Sequence, residues 1–374
     1  MSTLSLKRLY ALAAAVVAVV GCSRDGPILV GLAGPFSQDR AISMSRAAEL
    51  AVREINGRGG IRGRPLQLVV LDDSANADVT LRVARELYDN SNVIAVVGHL
   101  TSSSTLAAAP VYGSGTNPIV QISPSASSPL ITDAGPHTFR VCPSDLVHGF
   151  RLAEWARAQL GAERAAILYQ NDDYGRGVRA TFASSFLELG GSIVSEDPYV
   201  DEIPSFGPFL QRVRQRGGAD VLLVAGTRAS GSRIAATLDT VGISVRILAG
   251  DGLVGIGQTT MAEGVVISTA YLPDRPGNRN SDFVRAYRAA YRNELPDYRG
   301  AGTYDILYLL AQAMETVGPN RGRIRDYLAQ VGRDIEPFEG VTGPIAFDEN
   351  GDVPEKDVVI GVISDGRLIT AVGQ

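Results

Sequence analysis

Residues 93–112 read Val93-Ile-Ala-Val-Val-Gly-His-Leu-Thr-Ser-Ser-Ser-Thr-Leu-Ala-Ala-Ala-Pro-Val-Tyr112. A short apolar run closed by Gly98 has the pattern of a strand buried on both faces. The hydroxyl run Thr101 to Thr105, followed by alanines, has that of a helix start. Strand, tight turn and helix in that order place free backbone N–H groups and the positive end of a helix dipole at residues 101–105. One Ser or Thr suffices as an N-cap. Five leave two readings open: a cap with small polar neighbours, or an anion site of the kind that takes a carboxylate.

Outward from this stretch the chain alternates strand and helix. Strands are expected over 28–33, 66–71, 93–97 and 119–122, with helices over 41–56 and 79–88. The pattern restarts with a helix over 146–160 that carries Trp155, the one tryptophan. Strands follow over 165–169, 193–196, 221–224, 246–248 and 265–268, and helices over 178–189, 206–216 and 234–241. Three more helices are expected over 283–291, 304–316 and 324–331, then short strands from residue 345 on. Such alternation argues parallel sheets with helices on both faces. The 374 residues suffice for two domains. A Gly-Gly pair after the first helical pattern of the first half (Gly59-Gly60), echoed by Gly190-Gly191 in the second, is compatible with two similar lobes.

In open parallel sheets, ligands bind beyond the carboxyl ends of the strands. Polar residues collect there in both halves: Thr101 and Ser102 beside Leu100; Ser123, Ser125 and Ser127; then Asp172, Asp173 and Tyr174; Thr227 and Arg228; and Asp251. Hydroxyls and helix N–H groups suit a carboxylate, and Asp251 suits an ammonium, together the needs of a zwitterion. Tyr174 offers a ring and a hydroxyl. Arg228 reads either as a solvated loop residue or as a selector of an acidic or amide side chain.

The first residues read as a leader. Lys7 and Arg8 precede an apolar stretch over 9–20, too short for a normal membrane span, which ends Val19-Val20-Gly21-Cys22. Small residues before a cysteine resemble the bacterial lipobox, in which the cysteine is lipidated and becomes the new N-terminus. Cleavage there removes Lys7 and Arg8 from the 35 basic residues, leaving 33 against 40 acidic ones, a net charge of −7. The expected product is an exported, lipid-tethered protein with Cys142 as a lone buried thiol.

Other classes fit poorly. The acidic balance gives no nucleic-acid footprint. There is no G-x-S-x-G elbow, and His99 is the one histidine near Ser102 in the sequence. Gly252-Leu-Val-Gly-Ile-Gly257 lacks the spacing of a dinucleotide fingerprint, and neither Lys7 nor Lys356 follows a glycine as a P-loop requires. Two cysteines and three histidines form no metal-ligand spacing, so neither metal nor cofactor is expected.

Several stretches together resemble the type I periplasmic solute-binding proteins of branched-chain amino acid ABC transporters, the leucine/isoleucine/valine-binding group. They are Gly98-His-Leu-Thr-Ser-Ser-Ser-Thr105, Ile122-Ser-Pro-Ser-Ala-Ser127, Asn171-Asp-Asp-Tyr-Gly175, Gly250-Asp-Gly252, Val341-Thr-Gly-Pro-Ile-Ala-Phe-Asp348, and Glu54-Ile-Asn-Gly-Arg-Gly-Gly60 with Asp72-Asp73. The resemblance runs from about residue 28 to the C-terminus. It implies an α/β protein of two doubly wound parallel-sheet lobes joined by three crossovers. The segments would be 1–21 as lipoprotein signal peptide, 22–27 as anchored linker, 28–143 plus 273–344 as the first lobe and 144–272 plus 345–374 as the second.

Carried over by position, Ser102 and Ser127 would hold a carboxylate and Ser125 would offer backbone groups. Asp251 would hold the ammonium, Tyr174 would close over the ligand, and Leu100 and Thr101 would line the side-chain pocket. The implied function is a non-enzymatic receptor, monomeric and membrane-anchored, that delivers an amino acid or small carboxylate to an ABC permease. The alternative is a lipoprotein that uses the same scaffold to bind a protein partner or to act as a sensor. Two departures stand out. Asp251 is one methylene shorter than the glutamate often found there, and Thr227 with Arg228 stands where leucine-binding members carry a second cleft tyrosine. A branched aliphatic side chain is therefore the less favoured ligand feature.

Overall fold

The computed structural model describes residues 26–258 and 260–371. Cys22 and the expected leader lie outside the described residues. Among those described, two twisted sheets form. The first has five strands: β1 (Ile28–Gly34), β2 (Leu66–Asp72), β3 (Val93–Val97), β4 (Gln121–Ser123) and β5 (Thr138–Arg140). Their order is β2-β1-β3-β4-β5, and every pairing is parallel. The run 93–97 is thus the central strand, which explains its unbroken apolar reading. The three-residue β5 is absent from the sequence reading, because so short an edge strand has no periodicity to detect.

The second sheet contains β6 (Arg164–Gln170), β7 (Ser192–Tyr199), β8 (Val221–Ala225), β9 (Arg246–Ala249) and β10 (Val266–Thr269), followed by a C-terminal hairpin. A separate two-stranded ribbon, β11 (Phe338–Gly340) and β12 (Gly343–Ile345), precedes that hairpin, which is β13 (Val359–Ser364) and β14 (Arg367–Thr370). The sheet order is β14-β13-β10-β9-β8-β6-β7. It is parallel except where β13 pairs antiparallel with both β10 and β14.

Helices α1 (Ile42–Gly57), α2 (Ala77–Asp89) and α3 (Ser102–Tyr112) belong to the first sheet. Helices α4 (Asp145–Ala158), α5 (Asp173–Glu188), α6 (Gly207–Gln215) and α7 (Arg228–Val241) belong to the second. The chain then returns through α8 (Asn278–Ala290), α9 (Tyr298–Val317) and α10 (Arg321–Leu328) to the first sheet. Each sheet is covered on both faces. One core joins β1, β3 and β4 to α1, α9 and α10 through Met44, Ile306, Leu310 and Leu328. Another packs α2 and α3 on the opposite face through Leu87 and Tyr112. In the second lobe, α6 and α7 cover one face and α4 and α5 the other.

The chain passes between the lobes three times: after β5, after β10 and before β13. The resumption of the second lobe at 345 is corrected. Phe347 packs edge-on against Phe139 with ring centroids 5.0 Å apart, and Val353 joins the same core. The return therefore falls between Val353 and β13.

Four helices begin five or six residues before the positions read from their apolar periodicity; one of them, α8, follows Gly277 with no side-chain cap. In the other three a side-chain cap sets the start. Asp172 accepts from the Gly175 amide at 2.7 Å and starts α5. Thr227 caps α7 with a reciprocal capping box through Ser230. Asp297 accepts from the amides of Arg299 and Gly300 and starts α9. A cap satisfies N–H groups that no intrahelical carbonyl can reach, so the helix extends back to it even where the first turn is polar. Those extra turns carry Tyr174, Arg228 and Arg299.

Candidate functional site

A cleft of about 890 Å³ lies between the two lobes at the carboxyl ends of both sheets. It is lined by Leu100, Thr101, Ser102 and Ser125 from the first lobe and by Tyr174, Thr227, Arg228 and Asp251 from the second. Ser127 is not among its walls.

The first-lobe wall is built from the turn after β3. Gly98 adopts φ +126°, and a Cβ there would sit 2.1 Å from the Ala33 carbonyl oxygen, so only glycine passes. Thr101 then caps α3, its hydroxyl accepting from the Ser104 amide at 3.2 Å. The five hydroxyls divide their tasks. Thr105 donates to the His99 carbonyl, and Ser104 accepts from Thr80. Ser102 is buried and accepts from the Ser128 amide at 3.1 Å, while its hydroxyl proton remains free for a further partner. Ser103 donates to Asp173 Oδ2 across the lobes at 2.6 Å. The Ser125 hydroxyl donates to the Leu100 carbonyl at 2.6 Å, and its amide donates to Ser123 Oγ.

Ser127 departs from expectation. It is fully buried behind the wall, and its carbonyl accepts from the Asp145 amide and from Arg140. Its hydroxyl has no hydrogen-bond partner. The reason is tertiary: the buried Arg140, held by Asp352, pulls the 127–128 backbone inward.

In the second-lobe wall, Asp251 opens a short 3-10 turn after β9 and is 1% exposed. One carboxylate oxygen, Oδ2, has no hydrogen-bond partner and lies 3.7 Å from His148 Nε2. Burial raises the Asp251 pKa, while His148, Arg299 and the Tyr174 hydroxyl favour its charged form. His148 itself is pushed down by burial. Tyr174, in the first turn of α5, accepts a hydrogen bond from the Gly252 amide at 2.9 Å. Gly252 is required here, since a Cβ would meet the Gly226 carbonyl oxygen at 2.1 Å and the Tyr174 ring.

Arg228 pairs with Asp39 of the opposite lobe at 3.1 Å, on the exposed rim. It is thus neither a free loop residue nor an unengaged selector. Thr227 is committed to its cap.

Four groups escaped the sequence reading. Tyr298 and Arg299 line the cleft from the first turn of α9. Asp297 is the capping signal that would have revealed them. Arg40 lines it from the turn 39–41; extending the strand-end rule to β1 reaches it. Asp145 lies behind the wall with both carboxylate oxygens unpartnered, and burial together with Asp251 raises its pKa well above the usual carboxylate range. Ser127 is near enough to favour the ionised form of Asp145 but is outside hydrogen-bond geometry.

This arrangement is that of two lobes presenting hydroxyls and helix N–H groups on one side and a buried carboxylate on the other. A profile of the periplasmic binding protein family matches residues 27–367. The Leu/Ile/Val-binding protein homolog 1 of Brucella abortus (strain 2308) is 26% identical over 348 residues, covering 91% of each chain. The ABC transporter substrate-binding protein of Desulfitobacterium hafniense, solved in complex with Leu, is 34% identical with a TM-score of 0.78 over 92% of this chain and 100% of that one. LivJ of Streptococcus pneumoniae, solved with isoleucine, is 27% identical with a TM-score of 0.82 over 91% of this chain and 97% of that one. The chain belongs to the periplasmic binding protein family, in its type I fold, and is a binding protein rather than an enzyme.

Proposed function

We propose that this chain is the extracytoplasmic receptor of an ABC importer and closes on an amino acid or a related small carboxylate. One observation carries the reading: Asp251, buried with an unpartnered carboxylate oxygen, shares a cleft with the Ser102 hydroxyl and the N-terminus of α3. A buried carboxylate without a partner is costly, and an ammonium group supplies the missing one. Ser102 and the first amides of α3 then hold the ligand carboxylate. Tyr174 covers the ligand from the second lobe. That the Desulfitobacterium relative was solved with Leu supports the amino acid class.

In this reading Cys22 carries the lipid, the receptor works as a monomer at the outer face of a membrane, and a permease takes the ligand from the opened cleft. A thermal-shift panel of amino acids, their amides and amine-free carboxylates tests it. At 100 times its dissociation constant a ligand adds about 2.7 kcal/mol of stability. Stabilisation by free α-amino acids is the expected result. Stabilisation by none of the panel would sink the reading and favour a partner-binding lipoprotein.

A further inference from the structure

Among the described residues of the cleft, Arg40 is the arginine that neither an ion pair nor a hydrogen bond holds. Its Nε is buried with no partner, and no hydrogen bond or ion pair to the described residues holds its guanidinium. The other cleft arginines are engaged. Arg46 pairs with Glu294, Arg228 with Asp39, and Arg299 with Asp297 at 2.9 Å. Arg233 donates to the carbonyls of Asp201 and Ile203. The carboxylates around Arg40 bond to other groups: Asp73 bonds His99 at 2.6 Å, Asp172 accepts from the Gly175 amide at 2.7 Å, and Asp201 accepts from Gln170 at 3.2 Å.

Arg40 instead faces a like charge. Burial and Arg299 together lower its pKa, with Asp201, Asp73 and Tyr298 opposing. Arg299 lines the same cleft from α9, stacked 4.4 Å over the Tyr298 ring and reaching the Asp251 carbonyl at 3.5 Å. Two guanidiniums lining one cavity, one of them without an ion pair, favour an anion there. An aliphatic side chain would shut Arg40 into the closed cleft without a partner, the unfavourable arrangement for a buried charge.

We propose that Arg40 is a third recognition point, taking the side-chain carboxylate of an α-amino dicarboxylic acid while Ser102 and Asp251 hold its α-carboxylate and ammonium. This rests on the reading of Ser102 and Asp251 given above. A fork-shaped guanidinium suits a carboxylate in two-point contact. The α-carboxylate remains at the N-terminus of α3, so the two anionic ends of the ligand do not compete.

The test is calorimetric titration of the exported chain with L-glutamate, L-aspartate, L-glutamine, L-leucine and glutarate, in wild type, Arg40→Met and Arg40→Lys. Melting temperatures check that each variant is folded. In wild type, one of the dicarboxylic amino acids binds at least about tenfold tighter than leucine, with glutamine between them. Arg40→Met lowers dicarboxylate affinity about 10- to 100-fold more than leucine affinity, and Arg40→Lys restores part of the difference. Leucine binding as tightly as the dicarboxylates in wild type overturns the proposal but leaves the amino acid reading intact. So does an equal loss for all ligands in Arg40→Met. Glutarate matching glutamate, or no binding of any amino acid, overturns the underlying reading and the proposal with it. If Arg40→Met fails to fold, the wild-type comparison of glutamate, glutamine and leucine still decides.

Discussion

Ser103 Oγ donates to Asp173 Oδ2 at 2.6 Å, joining the first turn of α3 in one lobe to the first turn of α5 in the other. With the Asp39–Arg228 pair, it ties the lobes together at the mouth of the cleft. The hydroxyl run that opens α3 therefore serves closure as well as capping. Closure of this kind is a hinge motion whose equilibrium sets ligand affinity through the population of the closed form.

Removing this tie shifts the equilibrium toward the open form. Ser103→Ala loses one hydrogen bond to a carboxylate, about 1.5–3 kcal/mol at most and less at an exposed mouth. Ligand affinity is expected to fall a few-fold, through faster dissociation. Small-angle scattering of the ligand-free protein should show a larger radius of gyration than wild type. An unchanged radius and unchanged dissociation rate would mean that the contact does not hold the lobes.

Asp251→Ala is expected to weaken binding of an amine-bearing ligand by roughly 2–5 kcal/mol, the cost of leaving a buried ammonium unpaired. An amine-free carboxylate should lose far less. Ser102→Ala should cost about 1–3 kcal/mol of affinity. It should also lower the melting temperature without ligand, because the buried Ser128 amide loses its acceptor. Calorimetry on the two variants separates the amine and carboxylate subsites.

Asp145 and Asp251 make stability pH-dependent. Both have folded-state pKa values raised chiefly by burial. Between the unfolded value and the raised one, the folded state holds more protons than the unfolded chain, so stability falls as pH rises through that window. Asp145→Asn removes one contribution. The drop in melting temperature from pH 4 upward should be shallower in the variant than in wild type, and identical slopes would refute the assignment.

Lys356 lies where the three crossovers meet. Its Nζ donates to Thr342 Oγ1 at 2.6 Å, and Asp305 accepts from the same threonine. Cys142, Arg275 and Asp305 all act on its charge, and burial lowers its pKa to about 8. Between about 8 and the ordinary lysine value, the unfolded chain binds more protons than the folded one, so stability gains as pH rises there. Lys356→Met should cost about 3 kcal/mol at pH 7, since Asp305 loses its counter-charge, and should abolish that alkaline gain. Urea titrations at pH 7 and pH 9.5 measure both effects.

What the sequence determined by itself was local in origin. Apolar runs and helical spacing located the strands and most helices, because each depends on residues a few positions apart. Polar strand ends located the cleft, because parallel sheets place their ligands there. That one hydroxyl of the run 101–105 caps a helix was readable locally; that it is Thr101 came from the structure. The tertiary structure decided everything that rests on distant partners. It brought Arg40 and Arg299 into one cleft, turned Ser127 behind the wall through Arg140 and Asp352, and paired Arg228 with Asp39. It also set Lys356 among the crossovers. No periodicity encodes these pairings, because chain segments far apart in sequence meet only once both sheets have formed and their faces are packed.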